Sequence, residues 1–138
     1  GLIGTFAPWL SSSTYWPAKD FDKSGGPYVN TNGTKVADDW QDLITYDGSA
    51  FLDNAITFDE DGFEIGLDFV WTGTDENGMP KSVGGGLDFC DDWKSASTAS
   101  NKRYARIGLS SFTSHGWTSV AGFDDFCGNA NRLYCFEQ

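Results

Sequence analysis

Three residue types set the chemistry open to this chain: three cysteines, one histidine and 20 Asp and Glu side chains. The cysteines are Cys90, Cys127 and Cys135. No pair has C-x-x-C spacing and no histidine lies near them, so the tetrahedral ligand set of a zinc site is not laid out in sequence. Each cysteine stands beside an aromatic or strand-like stretch, which suits disulfide bonding. The odd count leaves one thiol over, either as a buried free cysteine or with a partner outside the chain. His115 sits in "TSHGW" among serines. A Ser–His–Asp triad is defined by geometry rather than spacing, and no Gly-x-Ser-x-Gly elbow is present. His115 therefore reads as a loop histidine. Paired carboxylates for glycoside hydrolysis are available by number alone. The glycines Gly84 to Gly86 are followed by neither a lysine nor a helical pattern, so they do not form a phosphate-cradling loop. No enzymatic activity is expected.

The charge balance is 20 acidic against 9 basic residues, a net of -11. Such a surface repels phosphate backbones and sulfated polysaccharides, which excludes nucleic acid as a partner. The basic cluster Lys102, Arg103 and Arg106 is too small to reverse this. The aromatic content of 16%, with six Trp and eleven Phe, is far above that of a disordered chain. No apolar run reaches the ~18 residues a membrane span needs.

The elements that must carry these residues are mostly strands. Ala55 to Phe58, Leu67 to Thr72 and Tyr104 to Leu109 show strand alternation, and Leu133 to Phe136 reads as a tail buried on both faces. A helix is expected over Thr34 to Ile44, where Val36, Trp40, Leu43 and Ile44 recur at helical spacing, and a second through Asp91, Asp92 and Trp93. Turn chemistry falls at Gly25-Gly26-Pro27, Asn32-Gly33, Asp61-Gly62 and Asn77-Gly78. Short strands, two short helices and glycine-rich loops define an α+β class. The 138 residues read as one domain. Trp9, Trp40, Trp71, Trp93 and Trp117 are core candidates, whereas Tyr15 and Trp16, in the polar "SSSTYWPAKD", are candidates for a binding surface. Asn32-Gly33-Thr34 is also a glycosylation sequon.

Several stretches resemble one family in order along the chain. "GLIGTFAPWLSSS" is similar to the G-L-x-G-T-F-x-x-x-L-S-S segment of endostatin, the C-terminal domain of certain basement-membrane collagens. "YVNTNGTKVADDWQDLI", "ITFDEDG" and "VWTGTDENGMP" resemble its V-N segment and tryptophan-bearing helix, its S-F-D-G turn and its V-W-x-G-x-D-x-N-G stretch. "FCDDWKS" and "LYCFEQ" resemble its Y-C-x-x-W-x-T and closing L-C-I-E-N, and also the C-x-D-W-x-S and R-L-Y-C-F-E-Q motifs of secreted bacterial proteins.

The resemblance implies a C-type-lectin-like fold: a twisted, mostly antiparallel mixed sheet with short helices and long loops, in an extracellular protein. It implies a disulfide between Cys90 and Cys127. It places the partner of Cys135 in a first helix that, with the strand before it, lies outside this sequence, so that residues 1–138 form an N-terminally incomplete domain whose first residues, from Leu2 to Leu10, belong to a core. Sugar-binding relatives of this fold use calcium. Here Asp124 falls on a ligand position while Phe123 replaces the expected asparagine, leaving Asp124 and Asp125, or the Asp59-Glu60-Asp61 turn, as candidate calcium ligands. The zinc and heparin sites of endostatin do not carry over. The expected role is a non-enzymatic binding or adhesion module that meets a protein or glycan through the loops from Gly73 to Cys90 and from Ser95 to Cys127. The alternative is a structural subunit of an extracellular assembly, in which the partner is another copy.

Overall fold

The computed structural model describes residues 3–81, 89–97 and 104–138. In chain order the elements are β1 (Phe6–Pro8), α1 (Pro17–Asp20), β2 (Tyr28–Val29), β3 (Lys35–Ala37), α2 (Trp40–Leu43), β4 (Phe69–Trp71), β5 (Tyr104–Leu109), β6 (Asp124–Phe126), β7 (Arg132–Leu133) and β8 (Cys135–Glu137). A single helical turn at Phe89–Trp93 precedes β5, and a 3₁₀ turn at His115–Trp117 follows it. The class is α+β with mostly antiparallel pairing.

The strands fall into three sheets. The largest has the order β6-β5-β4-β7, in which β4 and β7 run parallel and the other pairs antiparallel. Among the described residues β1 pairs only with β8, and β2 only with β3. β5 is central because its inward residues, Ala105 and Ile107, are buried while Tyr104 and Arg106 are only half so. Gly108 in β5 lets the Trp117 segment cross closely: a Cβ there would lie 2.0 Å from the Trp117 carbonyl oxygen.

The main core surrounds Trp9, which is fully buried. Its ring centroid lies 4.7 Å from that of Trp117, 5.9 Å from Trp40 and 5.8 Å from both Phe21 and Phe136. Leu43, Leu52, Val70 and Tyr134 complete this cluster. A smaller cluster of Trp71, Cys90, Ala105, Ile107 and Cys127 packs on the other side of β4, with Leu10 and Trp93 against it. Between them runs a buried hydroxyl network. Trp9 Nε1 donates to Thr118 Oγ1 at 2.7 Å, and Thr118 Oγ1 donates to the Thr74 carbonyl at 3.0 Å. Thr72 Oγ1 donates to the Thr118 carbonyl at 2.6 Å, and Ser11 and Thr74 share a hydroxyl hydrogen bond at 2.8 Å. Every member is satisfied, as burial demands.

The helices are shorter than their periodicity suggested. The expected helix over Thr34 to Ile44 is strand β3 followed by a single turn, α2. Val36 and Ala37 are both buried in β3 against β2, and Asp39 caps α2: its side chain accepts from Asp42 N. Capping here outweighs spacing. Phe89–Trp93 does turn, but all five residues have positive φ, so the turn is left-handed. Each Cβ there costs roughly 1–2 kcal/mol. The turn is anchored by the Cys90–Cys127 disulfide, by Trp93 Nε1 donating to the Ser11 carbonyl, and by Asp92, which accepts from Ser13 N and Oγ.

Three other expectations change. Ala55 to Phe58 forms no strand, only an isolated bridge from Phe58 to Glu64. The tail is not buried on both faces: Tyr134 and Phe136 are buried, while Leu133 and Cys135 are exposed. Of the apolar opening, Trp9 is core but Ile3 is 95% exposed, and Leu2 lies outside the described residues. Among the described residues no helix is long and apolar enough to cross a membrane.

Candidate functional site

The cysteines separate into two roles. Cys90 and Cys127 are bonded, with Cα atoms 5.5 Å apart. Cys135 is free and exposed on β8, in register with Pro8 of β1. Its thiol is pushed up from the ordinary value first by partial burial and then by the charge of Glu60.

Cys135 stands on the wall of a groove of about 1160 Å³. The floor is core: Tyr28, Val36, Val70, Tyr134 and Phe136 all reach it and are buried from the other side. The rim carries apolar side chains left in solvent, with Ile3, Val29 and Leu133 exposed at 95%, 57% and 49%. Acidic groups, Asp22, Asp59, Glu60 and Glu137, line it as well. Strands β2, β7 and β8 all contribute, and among the described residues each has a strand neighbour on one side only. The volume exceeds the ~300–1,000 Å³ usual for small-molecule pockets. A surface with these properties can bury an extended polypeptide and pair its backbone.

The other candidate residues lie elsewhere. Asp124 and Asp125 are consecutive on β6, so their side chains leave opposite faces of the strand. Asp124 Oδ1 lies 3.2 Å from Arg106 Nε, too poorly aligned for a hydrogen bond, and burial outweighs the arginine's charge to raise the carboxyl above its ordinary value. Asp125 accepts from Phe126 N and from the side-chain amides of Asn129 and Asn131. The two carboxylates thus face different neighbours, Asp124 the Arg106 guanidinium and Asp125 three N–H donors. In the Asp59-Glu60-Asp61 turn, Asp59 Oδ1 accepts from Asp61 N and Phe63 N. The acidic triad Asp38, Asp42 and Asp53 holds Lys35, whose Nζ lies 2.6 Å from Asp38 and 2.8 Å from Asp53.

Tyr15 is half-buried against the main core, its hydroxyl without a hydrogen-bond partner among the described residues, and Trp16 is half-buried with the Lys19 ammonium 4.6 Å from its ring centroid. Neither lines the groove. His115 is exposed, and among the described residues its ring bonds to no serine or aspartate. The two loops expected to face a partner include 82–88 and 98–103, which lie outside the described residues, as do Lys102 and Arg103.

The groove was not foreseen as a site. Its strand edges are visible only after pairing, though alternation in "LYCFEQ" did offer a signal: Tyr134 and Phe136 face in, and Cys135 faces out. No family model and no curated protein matches this chain.

Proposed function

We propose that the protein is a non-catalytic, extracellular recognition module that takes a partner polypeptide into the groove beside Cys135 and holds it through that thiol. The observation that carries this reading is a free, exposed cysteine on the wall of a large, apolar-floored groove, in a chain whose other two cysteines are bonded. A disulfide suits an oxidising compartment. The resemblance to endostatin and C-type-lectin-like domains supports binding over turnover. A polypeptide is preferred to a glycan because the groove is bordered by strands with one neighbour each.

Thiol exchange tests it. Protein carrying glutathione on Cys135 is equilibrated with strand-forming peptides that contain one cysteine. The peptide thiolate attacks the mixed disulfide, the peptide–protein bond forms, and glutathione leaves as its thiol. The proposal expects such peptides to displace glutathione at least tenfold better than a glycine-rich cysteine peptide of equal length. Equal displacement by both overturns it.

The same thiol and strand edges favour a second reading, a subunit of an extracellular assembly in which a neighbouring subunit adds a strand to the groove. Sedimentation of oxidised protein separates the two. Discrete species support a module, and a repeating array supports a subunit.

A further inference from the structure

We infer that the segment bound in the groove is a basic, apolar β-strand, and that it is not a second copy of this chain. This rests on the groove being the partner site proposed above. Two observations carry it.

The first is the set of strand edges. Among the described residues β8 pairs only with β1, β2 only with β3, and β7 is outermost in its sheet, and residues of β2, β7 and β8 line one groove. Strands with one neighbour keep a row of backbone donors and acceptors without a sheet partner, and an added strand supplies that partner. Along an extended occupant, alternate side chains face the floor at Tyr28, Val70 and Phe136, while those between face the rim.

The second is charge. The rim carries Asp22, Asp59, Glu60 and Glu137. Two basic side chains also line the groove: Lys23, which lies over the Trp40 ring at 5.2 Å and keeps its charge, and Arg132, whose Nε lies 2.6 Å from Asp68, so the four carboxylates outnumber the cations. The rim is left negative. An acidic segment meets like charge there, and another copy, at net -11, is repelled as a whole. A strand alternating apolar and basic side chains satisfies both floor and rim.

The test uses four synthetic ten-residue peptides without cysteine: Lys–Val, Gln–Val, Glu–Val and Lys–Pro repeats. Binding to the oxidised protein is measured by fluorescence anisotropy at low and high salt, alongside protection of Cys135 from alkylation. The Lys–Val peptide is expected to bind about tenfold more tightly than Gln–Val at low salt, with the gap closing at high salt. The Glu–Val peptide should be weakest. The Lys–Pro peptide has the same charge but keeps an N–H only at its lysines and favours the polyproline II helix over a strand, so it should neither bind tightly nor protect Cys135. Glu60→Gln combined with Glu137→Gln, both exposed positions, should shrink the Lys–Val advantage. Equal binding of Lys–Val and Gln–Val overturns the charge inference and leaves the groove reading standing. Equal binding of Lys–Pro overturns the strand. If no peptide binds or protects Cys135, the groove reading falls and this inference falls with it.

Discussion

At the scale of single residues, two groups show how burial sets chemistry. Cys135 is exposed enough to react, yet its thiol is held above the ordinary value by desolvation and by Glu60. Its alkylation rate should therefore climb with pH around a midpoint above the ordinary thiol value. Glu60→Gln should move that midpoint down and speed alkylation at pH 8, as read by mass spectrometry of iodoacetamide-treated protein; an unchanged midpoint would refute the role of Glu60. The carboxylates divide by sign. Asp92 and Asp47 are held below the ordinary value of 3.8, Asp92 chiefly by the Ser13 hydroxyl and Asp47 chiefly by the Ala50 amide. The stability they contribute is in place above the unfolded value and is lost as pH falls through the lowered values. Asp124 is raised, so its contribution has the opposite sign and fades as pH rises through its folded value. Asp92→Asn should flatten the acid side of a thermal-midpoint profile between pH 2 and 6, whereas Asp124→Asn should not.

At the scale of elements, the disulfide and the crossing at β5 are the sensitive points. Cys90 and Cys127 are 37 residues apart, and closing a loop of that length restricts the unfolded chain by about 4 kcal/mol in the chain-entropy model. Replacing both with serine should lower stability in urea by an amount of that order. Gly108→Ala pushes a methyl into the Trp117 carbonyl, which is backbone and cannot swing aside. Overpacking typically costs about 1–3 kcal/mol, and this substitution should reach the upper end. The same elements show what sequence can and cannot reveal. Tyr104–Leu109 was legible because alternation and pairing agree there. The glycine turns were legible because Gly33, Gly62 and Gly78 have φ of +86, +83 and +75, which L side chains resist. The helix over Thr34 to Ile44 misled because Val36 and Trp40 are buried by different elements that happen to lie four residues apart. The groove was hidden because its walls come from β2, β7 and β8, which are more than a hundred residues apart at the extremes and meet only in the fold.

At the scale of the whole molecule, an aromatic core and a disulfide-braced flank leave a face whose strands, among the described residues, have a neighbour on one side only. On the proposed reading, the net charge of -11 favours cationic partners at that face over further copies of the chain. The most direct measurement is hydrogen exchange of protein joined through Cys135 to a cysteine-bearing strand peptide, compared with the glutathione-capped form. The account predicts slower exchange confined to the amides of Tyr28–Val29 and of residues 132–137. Unchanged exchange in those segments, with the peptide fully attached, would contradict it.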